Sequence, residues 1–493
     1  MARIGKPAQQ PRAFDRALDQ PGRLVAGVSG RGGQGGQGRQ GGQGRQGGQG
    51  GQGMQVNERP CEAPVRVFPA HPRRGVLAIT VGRYRGRPSS VRERVVVSAA
   101  VHVVGVGRVP FTAPGASDSA VALGAQALRL ALADAGLDGR AVKQVVAGCV
   151  DGGPLAGQRV LDEVGMTGIP IRHVSSRCAT GSTALYLARQ AVASGAVECA
   201  LAVGFEPMKP GAAGLLVDYR SKPFDRVDLA AEHLVGETGM ALALRCFGGA
   251  GREHMRRYGT RLETFAMIRA KASRHAANNP LALLRTPLTE AEVMQSPALW
   301  PGVMTRLMAC PPASGTAAAL LCSPAFAARR GLDRRVVISA QAMTTDRPAA
   351  FESDDLRDVV GVGMSASAAR QVYALAGVGP QDIDVVELHD CFAHNELLSY
   401  EALGLAPEGG AEKLLLDGDN NYGGKHVVNP SGGLLCNGHP LGATGLAQCF
   451  ELVHQLRNTA GARQVDGARF GLQHNLALGG ACVVTLYEQR PAA

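Results

Sequence analysis

The second and later parts of the chain alternate short apolar runs with longer segments of helical spacing. Val95 to Gly107 (VVVSAAVHVVGVG) is apolar almost throughout, the pattern of a strand buried on both faces. A helix is predicted over about Ser119 to Ala135, then a glycine turn and a strand from Val142 to Cys149. The layout recurs with a helix over Ala366 to Ala376, a turn at Gly377 and Gly379, and a strand over Ile383 to Leu388. LADAGLDGRAVKQVVAG and YALAGVGPQDIDVVELH thus form an internal repeat: helix, Ala-Gly turn, spacer, Val-rich strand. The repeat extends further. A helix from Cys178 to about Ala196 leads to a strand over Glu198 to Gly204. A second, Leu446 to Leu456, follows a turn at His439 and leads to strands over Ala468 to Gln473 and Ala481 to Leu486. Strands alternating with helices predict an α/β fold. Two copies of one βαβ-rich unit would bring the two helix starts together at a pseudo-two-fold axis. Met208 to Arg306, with more charge and less regular strands, is expected to be an inserted, largely helical loop domain. The expected divisions are residues 1–95, 96–207 with 307–325, 208–306, and 326–493.

Composition changes this picture at one end only. The chain has 493 residues, 45% of them apolar, enough for two or three domains. No apolar run is long enough to span a bilayer. No apolar h-region follows Arg3 and Lys6, so secretion is not expected and a cytoplasmic location is. The 11 cysteines are scattered without CxxC pairs, which predicts reduced thiols and no metal site. The net charge of +11 belongs to the tail: residues 1–95 hold 17 Lys/Arg against 5 Asp/Glu, and the remainder 35 against 36. Gly30 to Gly53 is a Gly/Gln/Arg tract with little to bury, so it is expected to be disordered. It has no aromatic residue for base stacking, so a nucleic-acid partner is not expected.

Three places carry chemistry. Cys178, in SSRCATGST, precedes a helix, where the macrodipole favours a thiolate and small neighbours leave room for a substrate. His439 lies in Gly-His-Pro-Leu-Gly-Ala-Thr-Gly, residues 438–445, where Gly438 and Pro440 fix its backbone. It suits a base for Cys178 and a donor to a carbonyl oxygen. His389-Asp390-Cys391-Phe392 directly follows a strand, the place where α/β sheets bind ligands. In an extended segment His389 and Cys391 face one cavity. A cysteine and histidines so placed are the parts of a thiolate acyl-transfer site.

At these residues the chain resembles the thiolase superfamily, in particular its sterol carrier protein X-like branch, from about Val101 to Tyr487. The resemblance rests on GMTGIPI from Gly165, CATGSTAL from Cys178, HDCF from His389, NELLSYEALGL from Asn395, YGGK from Tyr422, NPSGGL from Asn429, GHPLGATGLAQ from Gly438 and HNL from His474. It implies a five-layered αβαβα fold of two similar halves with an inserted loop domain. It implies that Cys178 is the acyl-carrying nucleophile and that His439 activates it. It implies that His389 joins the oxyanion hole and that Cys391 is the acid/base. Asn475 stands where ordinary thiolases place that second cysteine. The implied activity is thiolysis of 3-oxoacyl-CoA or the reverse condensation, with coenzyme A as co-substrate and no permanently bound cofactor. Acyl-CoA and CoA are the expected partners, with a homodimer or homotetramer as the assembly. Alternatives are a thiolase-fold lyase acting with a partner protein and a non-catalytic acyl-CoA or lipid binder. Relatives in the lyase role typically lack the cysteine that is present here.

Some features depart from the family pattern. Ala477 replaces a glycine whose backbone N–H is expected in the second oxyanion hole, and alanine is disfavoured at positive φ. Ser314-Gly315 replaces an Asp-Gly pair. Neither a fused lipid-carrier domain nor a Ser-Lys-Leu-like peroxisomal ending is expected after Tyr487.

Overall fold

The computed structural model describes residues 100–116, 119–166, 168–208, 225–236 and 238–491. The basic extension expected to be disordered lies outside the described residues, as does the start of the first apolar run. Five strands form the first half of the sheet: β1 (Val101–Arg108), β2 (Gln144–Gly148), β3 (Ile171–Val174), β4 (Cys199–Glu206) and β5 (Gly315–Cys322). Their order is β3-β2-β4-β5-β1. β2 is parallel to β3 and β4, and β5 is antiparallel to both its neighbours. The second half uses β6 (Val336–Thr344), β7 (Val385–Glu387), β8 (Val427–Val428), β9 (Phe470–Ala477) and β10 (Ala481–Gln489). Its order, β8-β7-β9-β10-β6, repeats the same directions strand for strand. The halves meet where β1 pairs antiparallel with β6, Val101 opposite Ile338 and His102 opposite Val337.

Helices complete an αβαβα stack. α1 (Ala120–Ala135) and α2 (Ala156–Glu163) cover the first half, and α3 (Thr180–Ala193) lies between the halves. The stretch between the repeats contains α4 (Asp225–Val235), α5 (Leu242–Tyr258), α6 (Leu262–Ala277) and α7 (Glu290–Gln295). α8 (Val362–Ala376) and α9 (Ala393–Ala402) cover the second half. After the short α10 (Gly433–Asn437), α11 (Thr444–Leu456) packs against α3 in the middle layer. Among the described residues no helix is long and apolar enough to cross a membrane.

The apolar runs follow from this layering. In β4, Ala200 and Ala202 face the middle layer with Leu185, Ala188 and Leu446, while Leu201, Val203 and Phe205 face Leu128 and Leu161 outside. Both faces are buried, so no polar alternation survives. The alanines on the inner face let the two central helices approach. The closest approach is backbone on backbone. A Cβ on Gly181 would lie 2.8 Å from Gly442 O, one on Gly204 would run into the same carbonyl, and one on Gly445 would overlap Ser182. The glycines at 442 and 445 are therefore packing requirements, whereas Gly438 is needed for its φ of +85°.

Candidate active site

The two helix starts converge at the pseudo-two-fold axis. Cys178 lies in a single 3₁₀ turn, Arg177–Ala179, that runs into α3, so the predicted helix begins two residues after it. Arg177 holds a left-handed φ of +47°, and Thr180 Oγ1 accepts from Ser176 N at 2.8 Å. That kinked turn fixes where the sulfur points. His439 sits five residues before α11. Its N–H donates to Pro311 O at 3.2 Å, and its Nδ1 is 2.7 Å from Thr444 Oγ1. Its Nε2 is buried with no partner among the described residues.

His389 arrives from the loop after β7. Asn395 Nδ2 donates to its carbonyl at 2.5 Å, and the neighbouring Asp390 accepts from Leu434 N at 2.7 Å and Leu435 N at 3.3 Å. Asp390 thereby ties this loop to the start of α10. The His389 and His439 rings meet edge to face, centroids 5.0 Å apart. Cys178 Sγ and one nitrogen of each ring all lie within 4.8 Å of one another, and all three residues are buried. Asn475 joins the halves here: its Nδ2 is 3.1 Å from Cys178 O and 3.1 Å from His389 Nδ1.

Burial sets the protonation states. It pushes the Cys178 thiol up to about 11, against the opposing pull of the Arg177 charge. It pushes His439 down to about 3, and it holds His389 well below the usual range with help from His439 and His474. In the free site burial therefore favours the neutral thiol and the neutral imidazoles. Desolvation thus opposes the helix start and the Arg177 charge, both of which favour a thiolate at Cys178.

Cys391 is also buried. Its thiol is raised by burial and then by the charges of Cys310 and Cys178. Cys310 N donates to Cys391 O at 2.9 Å. Cys310, Thr444 and the wiring of Asn475 are what sequence reasoning missed. Thr444 had a signal, being inside the Gly438–Gly445 motif; Cys310 had none. Ala477 shares a small buried apolar cluster with Cys178 and Leu441. It has ordinary strand backbone, so the strain expected of an alanine there does not arise. The left-handed positions of the turn fall on Gly479 (φ +87°) and Gly480 (φ +117°). Ser314, another departure, accepts from Met208 N at 2.9 Å.

Residues 101–279 match the family described as thiolase, N-terminal domain, and residues 347–486 match thiolase C-terminal domain-like. Human sterol carrier protein 2 is 50% identical over 396 residues, which is 79% of this chain and 72% of that protein. An acetyl-CoA acetyltransferase of Methanothermobacter thermautotrophicus is 36% identical over 365 residues, 73% of this chain and 92% of that one. Among solved structures, the Ltp2-ChsH2(DUF35) aldolase superposes with a TM-score of 0.68 at 22% identity, covering 80% of this chain and 99% of that one. Human mitochondrial 3-ketoacyl-CoA thiolase in complex with CoA gives 0.61 at 18%, covering 80% and 99%. At those identities the superpositions show a shared fold.

Proposed function

The chain belongs to the thiolase family, and on that premise we propose that it is a 3-oxoacyl-CoA thiolase working through a thioester on Cys178. The observation that supports this most is the convergence of Cys178, His389 and His439 within 4.8 Å at the junction of the two halves. His439 Nε2, buried with an unused lone pair, takes the Cys178 proton as sulfur attacks the 3-keto carbon. A neutral thiol and a neutral imidazole suit that transfer, because charge forms only when substrate arrives. The Cα–Cβ bond breaks, leaving the acyl group on Cys178 and an enolate of the departing acyl-CoA. His389 and the now protonated His439 hold the enolate oxygen, and Cys391 delivers a proton to its carbon. Cys391 then accepts the proton of free CoA, whose sulfur takes the acyl group from Cys178, and the released Cys178 thiolate takes back the proton held by His439. The same steps reversed give condensation. The raised Cys391 thiol fits an acid that must hold its proton until a carbanion appears.

The test is intact-mass measurement after incubation with a 3-oxoacyl-CoA. The wild-type protein should gain one acyl group and Cys178→Ala none; acylation of the variant at the same stoichiometry overturns the assignment.

A further inference from the structure

The two imidazoles of the site are wired in opposite tautomers. Thr444 Oγ1 donates its single proton to Pro440 O at 3.0 Å, so its oxygen is left to accept from His439 Nδ1–H at 2.7 Å. The His439 lone pair is then on Nε2. Asn475 does the reverse to His389. The carbonyl of Cys178 takes only donors, so the amide must present its NH₂ there, at 3.1 Å. The same NH₂ faces His389 Nδ1 at 3.1 Å, so that nitrogen accepts and the ring proton is assigned to Nε2. His389 Nε2 makes no hydrogen bond among the described residues, which leaves its N–H available to the site.

We propose that Asn475 is a positioning residue that makes His389 an obligate proton donor and thereby keeps metal ions out of the Cys178/His389/His439 cluster. A thiol and two imidazoles this close are a ready zinc site, except that zinc needs a lone pair from each imidazole. His389 has none to give: one nitrogen carries the proton and the other is filled by Asn475. The oxyanion role of that proton rests on the proposed thiolase activity; the tautomer and the metal exclusion do not.

Asn475→Asp tests this with almost no change of shape, but it also removes the donor to Cys178 O and adds a carboxylate able to ligate zinc. Neutral Asn475→Leu is therefore run beside it: it too releases Nδ1 and should raise zinc affinity. A carboxylate accepts from Nδ1–H, so the His389 proton moves and the Nε2 lone pair opens. Zinc affinity, measured by competition with a chromophoric chelator, should rise at least about tenfold, the usual size of an outer-shell effect on a metal histidine. The gain should vanish in Asn475→Asp/His389→Ala. Thiolysis by the variant in chelator should fall about 10²–10³-fold in kcat, the loss expected for one oxyanion donor, with KM for CoA little changed. The unmutated protein supplies an independent check. With [¹⁵N]histidine, the resonance pair that disappears in His389→Ala should have a protonated Nε2 and a bare Nδ1. A protonated Nδ1 there, or zinc affinity unchanged by Asn475→Asp or by Asn475→Leu, overturns the proposal. A wild type with these nitrogen shifts and zinc behaviour but no thiolysis overturns the activity instead.

Discussion

The two halves are the same cradle loaded differently. β4 and β9 occupy equivalent places in their sheets, and each ends beside the site. β9 ends in Ala477 and carries Asn475, whose amide meets both Cys178 O and His389 Nδ1. β4 ends in Glu206, which accepts from Val150 N at 3.0 Å, Asp151 N at 2.8 Å and, from the other half, Gly442 N at 3.0 Å. The loops after β2 and β7 are likewise equivalent. One offers Cys149, with its thiol near Glu206; the other offers His389 and Cys391. In the first half the strand ends form a clamp on the histidine loop, and in the second they carry the groups proposed as reagents. Cysteine content alone therefore does not locate the chemistry. Cys149 and Cys391 are both raised thiols after a buried strand, the first with the Glu206 charge beside it and the second with those of Cys310 and Cys178.

The largest expected contrast is between cysteines. Cys178→Ala should lower thiolysis by roughly 10⁴-fold or more, as loss of a nucleophile does, while Cys149→Ala should stay within about twofold in a steady-state assay. Comparable losses would erase the distinction between reagent and clamp. Next, His439→Ala should cost about 10²–10³-fold in kcat, with the folded spectrum intact. The protonation state offers a further check. With the Cys178 thiol at about 11, its alkylation by iodoacetamide should climb about tenfold per pH unit from pH 7 to about 9 without levelling. A plateau near neutrality would mean a standing thiolate–imidazolium pair. Glu206→Gln should act on the clamp, lowering stability by about 1–3 kcal/mol in urea titration through one mismatched N–H, with a smaller effect on kcat. The smallest effect is expected for Ala477→Gly, about 0.5–1 kcal/mol less stable and near wild type in turnover, because a strand position gains nothing from glycine.

Much of this was legible before any coordinates. Runs such as β4 announce burial on both faces, and the repeat of helix, turn and strand announces the matching strand orders. The glycines around His439 mark a tight turn, though their reason differs: Gly442 and Gly445 answer to the crossing with Gly181, Gly204 and Ser182, which no local pattern encodes. The resemblance named four residues, and the structure gathers three of them within 4.8 Å, the fourth being buried two positions along from His389. Connections were the illegible part. Asn475 reaches a carbonyl 297 positions away, and an amide in a strand looks like any polar filler until its neighbours are known. Burial was illegible for a related reason: a helix start is visible in sequence, but the depth at which Cys178 lies is not.

The crossing at Gly181, Gly204 and Gly442 also bears on how the molecule comes apart. Where main chain rests on main chain there is no deformable layer of side chains, so neither half can loosen while its neighbour stays seated. A partly melted chain would retain every reactive group yet no longer hold them opposite one another. Loss of turnover and loss of far-UV ellipticity should then share one denaturant midpoint, making activity itself a gauge of cooperative unfolding.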